Sequence, residues 1–441
     1  MAYDAPMEYS GKGLAERGAP ARARSTVAYL TVACMAAVGV LLLLPATPAA
    51  RAGEDGAGSR PPDRAVVGAP IADEPADIAQ FWTQQRMLDA RPAETPTPPE
   101  AAFDIQPPGS TRTSTARAAA GESYFFPTGI ESFPLRVHGK IFFLVGDQAF
   151  VCSGTVVDSR GGNVVFTAGH CVFDRENGQY VDRLAFVPAY RDGDAPLGIW
   201  PATAVFTPSR YAEQGQLSHD LGAVILAERI QQTLGARKIA FNLDPSGRSF
   251  RILGYPAQPA PPFDGERMAG CDSEVIGRDP GHGKPSTLAV APCLMGEGAS
   301  GGGWITGGEY LNSVMSYTYC REDTQDLCGT VFGPYFGSQA VDLYTFPAVG
   351  GSVTPTIRLR SAPPRRINRR WAKFRFGGSG STPLSFRCRL DGRSPFRCGK
   401  KTTLKRLREG RHVLRIYSVD QTDRRSKRAV KRSFRVVPRG R

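Results

Sequence analysis

The sequence predicts an all-β protein, on three observations. Between about residues 133 and 346 the chain breaks into short apolar runs separated by Gly- and Pro-rich turns, the texture of a sandwich or barrel. Beyond residue 355, apolar and polar residues alternate with the period of two that half-buried strands require. Ahead of both lies a stretch rich in Ala, Pro, Thr and Arg, residues 53–122, whose composition is that of a linker or propeptide. At 441 residues the chain is too long for one compact domain, and two or three are expected.

The elements follow in chain order. Lys12, Arg17, Arg22 and Arg24 precede an apolar run over residues 26–44, and Ala50-Arg51-Ala52 fits a small-x-small cleavage site. The run is 19 residues long, enough to span a membrane. Residues 1–52 are therefore read as an export signal, with a retained single-pass anchor as the alternative. Within residues 53–129, a prosegment or linker, residues 78–90 form a candidate short helix with Phe81, Trp82, Met87 and Leu88 on or near one face. Strand candidates are 141–145, 164–166, 184–187, 224–226, 251–253 and 313–315, with a short helix over 338–346. Residues 348–354 read as a linker, and 371–376, 384–390, 412–419 and 433–437 as further strands.

Three places carry chemistry. Gly298-Ala299-Ser300-Gly301-Gly302-Gly303-Trp304 sets one hydroxyl among glycines, where the backbone can turn sharply and aim amides at one point. Thr167-Ala168-Gly169-His170-Cys171 puts a histidine at the end of an apolar run, and His219-Asp220-Leu221 puts an aspartate ahead of another. A serine hydroxyl needs a base to take its proton, and the base needs a third group to hold its tautomer. No Cys or His pairs fall at zinc-ligand spacing, so no metal or other cofactor is expected.

With Cys152-Ser153-Gly154-Thr155, these residues make the chain resemble the exported trypsin-like serine peptidases, on the glutamyl-endopeptidase-like branch. The resemblance covers roughly residues 130–347 and implies a chymotrypsin-like double antiparallel β-barrel with the site in the cleft. It implies His170 as general base, Asp220 as its orienter, Ser300 as nucleophile, and the amides of Gly298 and Ser300 as oxyanion hole. Leu294, Met315, Ser316 and Tyr317 would line the substrate pocket, which then lacks the charges used for basic or glutamyl side chains. Ala299 replaces the aspartate that receives a new N-terminal amine in trypsin-like activation. Glu297 and Gly303 also depart from the common pattern, which keeps open a non-catalytic binding protein on a degenerate scaffold. His138, His219 and His412 read as structural, and His282, between two glycines, as a loop residue.

Nine cysteines, one of them Cys34 inside the leader, fit an oxidising destination. Eight others permit many pairings. The resemblance implies Cys152–Cys171, and locality makes Cys271–Cys293, Cys320–Cys328 and Cys388–Cys398 the economical remainder. Residues 386–412, with Phe386, Cys388, Leu390-Asp391-Gly392, Cys398, Leu407, Gly410 and His412, resemble bacterial Ig-like modules, which implies a small β-sandwich over 355–441.

Charge divides the chain. Residues 355–441 hold 28 Lys plus Arg against 4 Asp plus Glu, whereas the rest holds 27 against 37. A net +24 in one segment opposes compaction. It points to anionic cell-wall polymer or anionic membrane as a partner, alongside protein or peptide substrates. No stacking platform or recognition helix indicates sequence-specific nucleic-acid binding.

Overall fold

A computed structural model describes residues 65–96, 123–320 and 328–438. The leader with Cys34, its cleavage site and residues 97–122 lie outside the described residues. Among the described residues, no helix is long and apolar enough to cross a membrane.

Residues 65–96, expected as prosegment or linker, pack onto the first barrel. Strand β1 (Val66–Pro70) and the helices α1 (Pro75–Phe81) and α2 (Gln84–Asp89) lead to β2 (Arg91–Pro92). Thr83 caps α2, its hydroxyl accepting from the Arg86 amide. Ile78, Trp82 and Met87 are buried, while Leu88 is exposed. The Trp82 indole donates to the Arg183 carbonyl at 2.7 Å and its ring meets Phe142.

The barrel itself comprises β3 (His138–Val145), β4 (Gln148–Val157), β5 (Val164–Thr167), then, past a hairpin of β6 (Phe173–Asp174) and β7 (Gln179–Tyr180), β8 (Asp182–Pro188), β9 (Trp200–Pro208) and β10 (Gly222–Leu226). The order β9-β10-β5-β4-β3-β8 closes through pairing of β8 with β9. Its core strands read as unbroken apolar runs because both of their faces are covered: Val164, Val165 and Phe166 are all fully buried. β1 adds outside the ring on β9, and β2 adds parallel to β4. α3 (Ser209–Gln214) and α4 (Ile230–Leu234) fill connections.

The second barrel uses β11 (Lys238–Ile239), β12 (Ser249–Gly254), β13 (Ala269–Asp279), β14 (Thr287–Ala291), β15 (Gly303–Thr306), β16 (Tyr310–Val314) and β17 (Val331–Gly333). β16, β15, β12, β13, β14 and β17 form the ring, closed by a bridge between Tyr317 and Phe332, with β11 added to β16. The expected closing helix is α5 (Ser338–Thr345), whose Leu343 and Tyr344 pack on Phe166 and Phe241.

The C-terminal segment is a sandwich. β18 (Arg358–Ser361), β20 (Ala372–Gly377) and β23 (Lys401–Leu404) form one sheet; β19 (Arg366–Ile367), β25 (Val430–Val436), β24 (Gly410–Val419), β21 (Ser385–Leu390) and β22 (Phe396–Cys398) form the other. Phe374, Phe386, Leu414 and Phe434 fill the space between them. The linker does not swing free. Gly351 and Ser352 are buried, and the Ser352 carbonyl accepts from Arg424 at 2.8 Å. Gln421 grips the backbone of Phe241 from both sides, accepting from its amide at 2.8 Å and donating to its carbonyl at 2.7 Å. Disulfides join Cys152–Cys171, Cys271–Cys293, Cys320–Cys328 and Cys388–Cys398.

Candidate active site

His170 sits in a single 3-10 turn directly after β5, and Asp220 follows another such turn just before β10. Antiparallel pairing of β10 with β5, Gly222 opposite Thr167, brings the two turns together. Gly169 permits the approach, since a Cβ there would lie 2.9 Å from Asp220 Oδ1 and 2.7 Å from the Tyr211 ring. Asp220 is fully buried. Its Oδ2 accepts from His170 Nδ1 and its Oδ1 from the His170 amide, both at 2.9 Å. The Ser316 hydroxyl adds a third bond, 2.5 Å to Oδ2. Orienting the ring this way leaves Nε2 as the free nitrogen. The sulfurs of Cys152 and Cys171 beside the ring are joined in a disulfide and offer no thiolate to a metal.

Ser300 is also fully buried, on the turn before β15. Its carbonyl accepts from the Ser153 amide at 2.7 Å, tying the turn of the second barrel to β4 of the first. Gly301 packs against Thr167 and Ala168, the residues leading into the histidine turn. Among the described residues, His170 Nε2 and Ser300 Oγ are buried atoms without a hydrogen-bond partner. Neither the Gly298 nor the Ser300 amide donates to backbone there, while those of Ala299, Gly301 and Gly302 do. Gly298 has φ +85°, and a Cβ on it would meet the Tyr255 carbonyl at 2.5 Å, so only glycine fits. Without an aspartate at position 299, another contact holds this loop. The Ser153 hydroxyl donates to the Gly298 carbonyl and accepts from the Tyr255 amide, each at 2.9 Å. Sequence reasoning missed that role, because Ser153 lies 145 residues from Gly298.

The cleft that reaches His170 is walled by Leu294, Met295, Thr318 and Gly329 on the second barrel and by Leu217 and Tyr211 on the first. The other expected pocket residues turn their side chains elsewhere. Met315 is buried in the core, Ser316 serves Asp220, and the Tyr317 ring stacks on Phe332 and donates to Asp279 Oδ2 at 2.8 Å. Thr318, past the end of the strand, lines the cleft instead. Asp279, wholly buried, also accepts from Tyr319 at 2.6 Å and from the Gly281 amide at 2.9 Å. His282 Nε2 lies 3.2 Å from it, so this loop residue is part of a buried knot behind the cleft wall. Burial alone would raise the Asp279 pKa; the bonds from His282, Tyr319, Gly281 and Tyr317 outweigh it and hold it at about 2. Glu297 stands at the cleft with its pKa raised, first by burial and then by Glu94. Glu94 arrives from β2, whose next residue, Ala93, donates to the Val151 carbonyl at 2.9 Å.

No family model matches the chain. A 130-residue part is 28% identical to glutamyl endopeptidase from Bacillus licheniformis, covering 29% of this chain and 39% of that protein. The extracellular metalloprotease of Bacillus subtilis matches at 26% over 129 residues, 28% of this chain and 40% of its own. The chain thus spans about two fifths of the length of the curated relatives it matches. Two solved structures are matched over nearly their full length. Protease Anisep from Arthrobacter nicotinovorans is 34% identical, covering 47% of this chain and 94% of its own with a TM-score of 0.42. Serine protease AL20 from an extremophilic microorganism is 36% identical, covering 48% and 96% with a TM-score of 0.43. Identity of that degree along almost the whole of both proteins, rather than the superposition, shows that this chain belongs to the trypsin-like serine proteases.

Proposed function

We propose that the protein is an exported serine endopeptidase, cleaving peptide bonds through an acyl-enzyme. His170 Nε2 takes the proton of Ser300 Oγ as that oxygen attacks the scissile carbonyl, and returns it to the leaving amine. Asp220 keeps the ring's tautomer and stabilises the imidazolium that forms. The Gly298 and Ser300 amides receive the oxyanion. Water then enters by the same base and releases the acid. The observation that carries this reading is the aspartate-held ring of His170, with Nε2 left without a partner among the described residues, on a turn whose leading residues Thr167 and Ala168 pack against Gly301, next to a Ser300 whose Oγ also lacks a partner there. Four disulfides agree with an exported protein.

Leu294, Met295 and Thr318 offer no counter-charge to a buried side chain. The residue before the scissile bond is therefore uncharged and apolar. A peptide-library profile dominated by Arg, Lys or Glu at that position overturns this. The basic C-terminal domain holds the peptidase at an anionic envelope.

Replacing Ser300 with Ala tests the core of the proposal. Turnover of a generic protein substrate should fall by several orders of magnitude, with an unchanged circular dichroism spectrum. Retained turnover in the purified variant would leave the degenerate-scaffold reading as the better one.

A further inference from the structure

The C-terminal sheet arranges its charge in a way that composition alone does not show. Along β21, β24 and β25, every second side chain is buried: Phe386 and Cys388, Leu414 and Ile416, Phe434 and Val436. The residues between them emerge on the outer face. Strand register then lines them up. Arg366 pairs with Arg435 and Arg435 with Arg411. Lys431 pairs with Arg415 and Arg415 with Arg389. Arg387 pairs with Arg397. All eight are exposed. Like charges directly opposite one another destabilise a sheet, and here the opposition repeats across five strands. Among the described residues, no carboxylate forms a salt bridge with any of them. Asp391, which borders the face, has its oxygens bound by His412 Nδ1 and the Val413 amide, both at 2.7 Å. Arg389 donates to carbonyls of its own turn, and among the described residues the other seven side chains have no hydrogen-bond partner.

We propose that this face binds a flexible, phosphodiester-linked polyol polymer of the cell envelope. The inference rests on the tethering role given above to the C-terminal domain and assigns it to one surface and one chemistry. Seven of the eight cations are arginines, whose planar forks match phosphate oxygens two at a time. Neighbouring strands place them about 5 Å apart and successive outward residues about 7 Å apart, within the reach of one phosphate chain. Tyr417, the aromatic side chain of this face, has the Arg425 guanidinium 4.7 Å over its ring, which closes it to a stacking base. The face also lacks an exposed large apolar side chain for lipid. Phe396, the exposed one in this domain, pairs with the inward Cys388 and so lies on the other side.

The test uses full-length protein carrying Ser300→Ala and three probes: poly(glycerol phosphate), vesicles with anionic phospholipid, and oligo-deoxythymidylate. The expected result is binding to poly(glycerol phosphate) above the other two, falling linearly on a log–log salt plot. Replacing Arg387, Arg411, Arg415 and Arg435 with Gln should weaken it at least about tenfold and lower the salt slope by about 0.7 per charge removed. It should also raise the melting temperature without ligand, since repulsion is relieved. A matched set on the other side, Lys400, Lys401, Lys405 and Arg406 to Gln, should change affinity by less than about threefold. Equal loss in both sets leaves tethering by general charge and defeats the face. Stronger binding to vesicles or oligonucleotide defeats the polymer. No binding to any probe at low salt defeats the tether itself.

Discussion

Asp220 is approached from three directions by residues far apart in the sequence, and each contact has a distinct consequence. The His170 amide fixes the carboxylate's position, Nδ1 fixes the ring, and Ser316 occupies the remaining lone pairs. Ser316→Ala should therefore lower kcat by roughly one order of magnitude with little change in KM, because a hydrogen bond to a buried charge is lost. An unchanged kcat would show that the two histidine contacts suffice. Neighbouring His219 has the opposite character. Burial first, then Arg210, depresses its pKa to about 4, and burial with Arg237 holds that of His138 well below its ordinary value. Depressed bases leave stability intact above the unfolded value near 6.5 and lose it as pH falls toward the folded one. The melting temperature should thus drop between pH 6.5 and 4, and His219→Gln should flatten part of that drop. A pH-independent melting temperature across the window would refute the sign.

At the scale of elements, residues 65–96 show where composition misleads. Proline and alanine suggested a linker, yet β1 extends the first barrel and Trp82 is 1% exposed beneath it. The single helix expected over 78–90 is instead two short ones broken at Trp82 and Thr83, and with Ile78, Trp82 and Met87 buried they are stabilised by what they pack on rather than by their own propensity. Trp82→Ala should cost about 3–5 kcal/mol and lower the cooperative unfolding transition of the whole barrel. Loss of a separate, weaker transition instead would mean that the arm is an independent appendage. The barrel strands were legible because burial on both faces leaves an apolar run, and the sandwich strands because burial on one face leaves alternation. Ring closure was not, since pairing of β8 with β9 and the bridge between Tyr317 and Phe332 depend on twist and register.

For the whole molecule, the two barrels and the sandwich belong to one compact unit. Gln421 imitates a strand edge toward Phe241, and the Ile239 amide donates to the Ser381 carbonyl at 3.0 Å. Gln421→Ala should uncouple the sandwich, splitting the calorimetric transition in two with a loss of about 1–3 kcal/mol from unsatisfied backbone groups. A single transition at the original temperature would show that the remaining contacts carry the docking.

By itself the sequence indicated the kinds of element and the charge division, and it singled out His170, Asp220 and Ser300 as candidates, because strand period, net charge and short motifs are local properties. It also indicated which cysteines could pair, from the resemblance for Cys152 and Cys171 and from nearness in the chain for the other three pairs. Only the tertiary structure decided that Ser153 holds the Gly298 loop, that Ser316 and Tyr317 face away from the cleft, and that eight cations share one sheet face. Those facts arise from contacts between residues tens to hundreds of positions apart, and no window of sequence contains the register or packing that creates them.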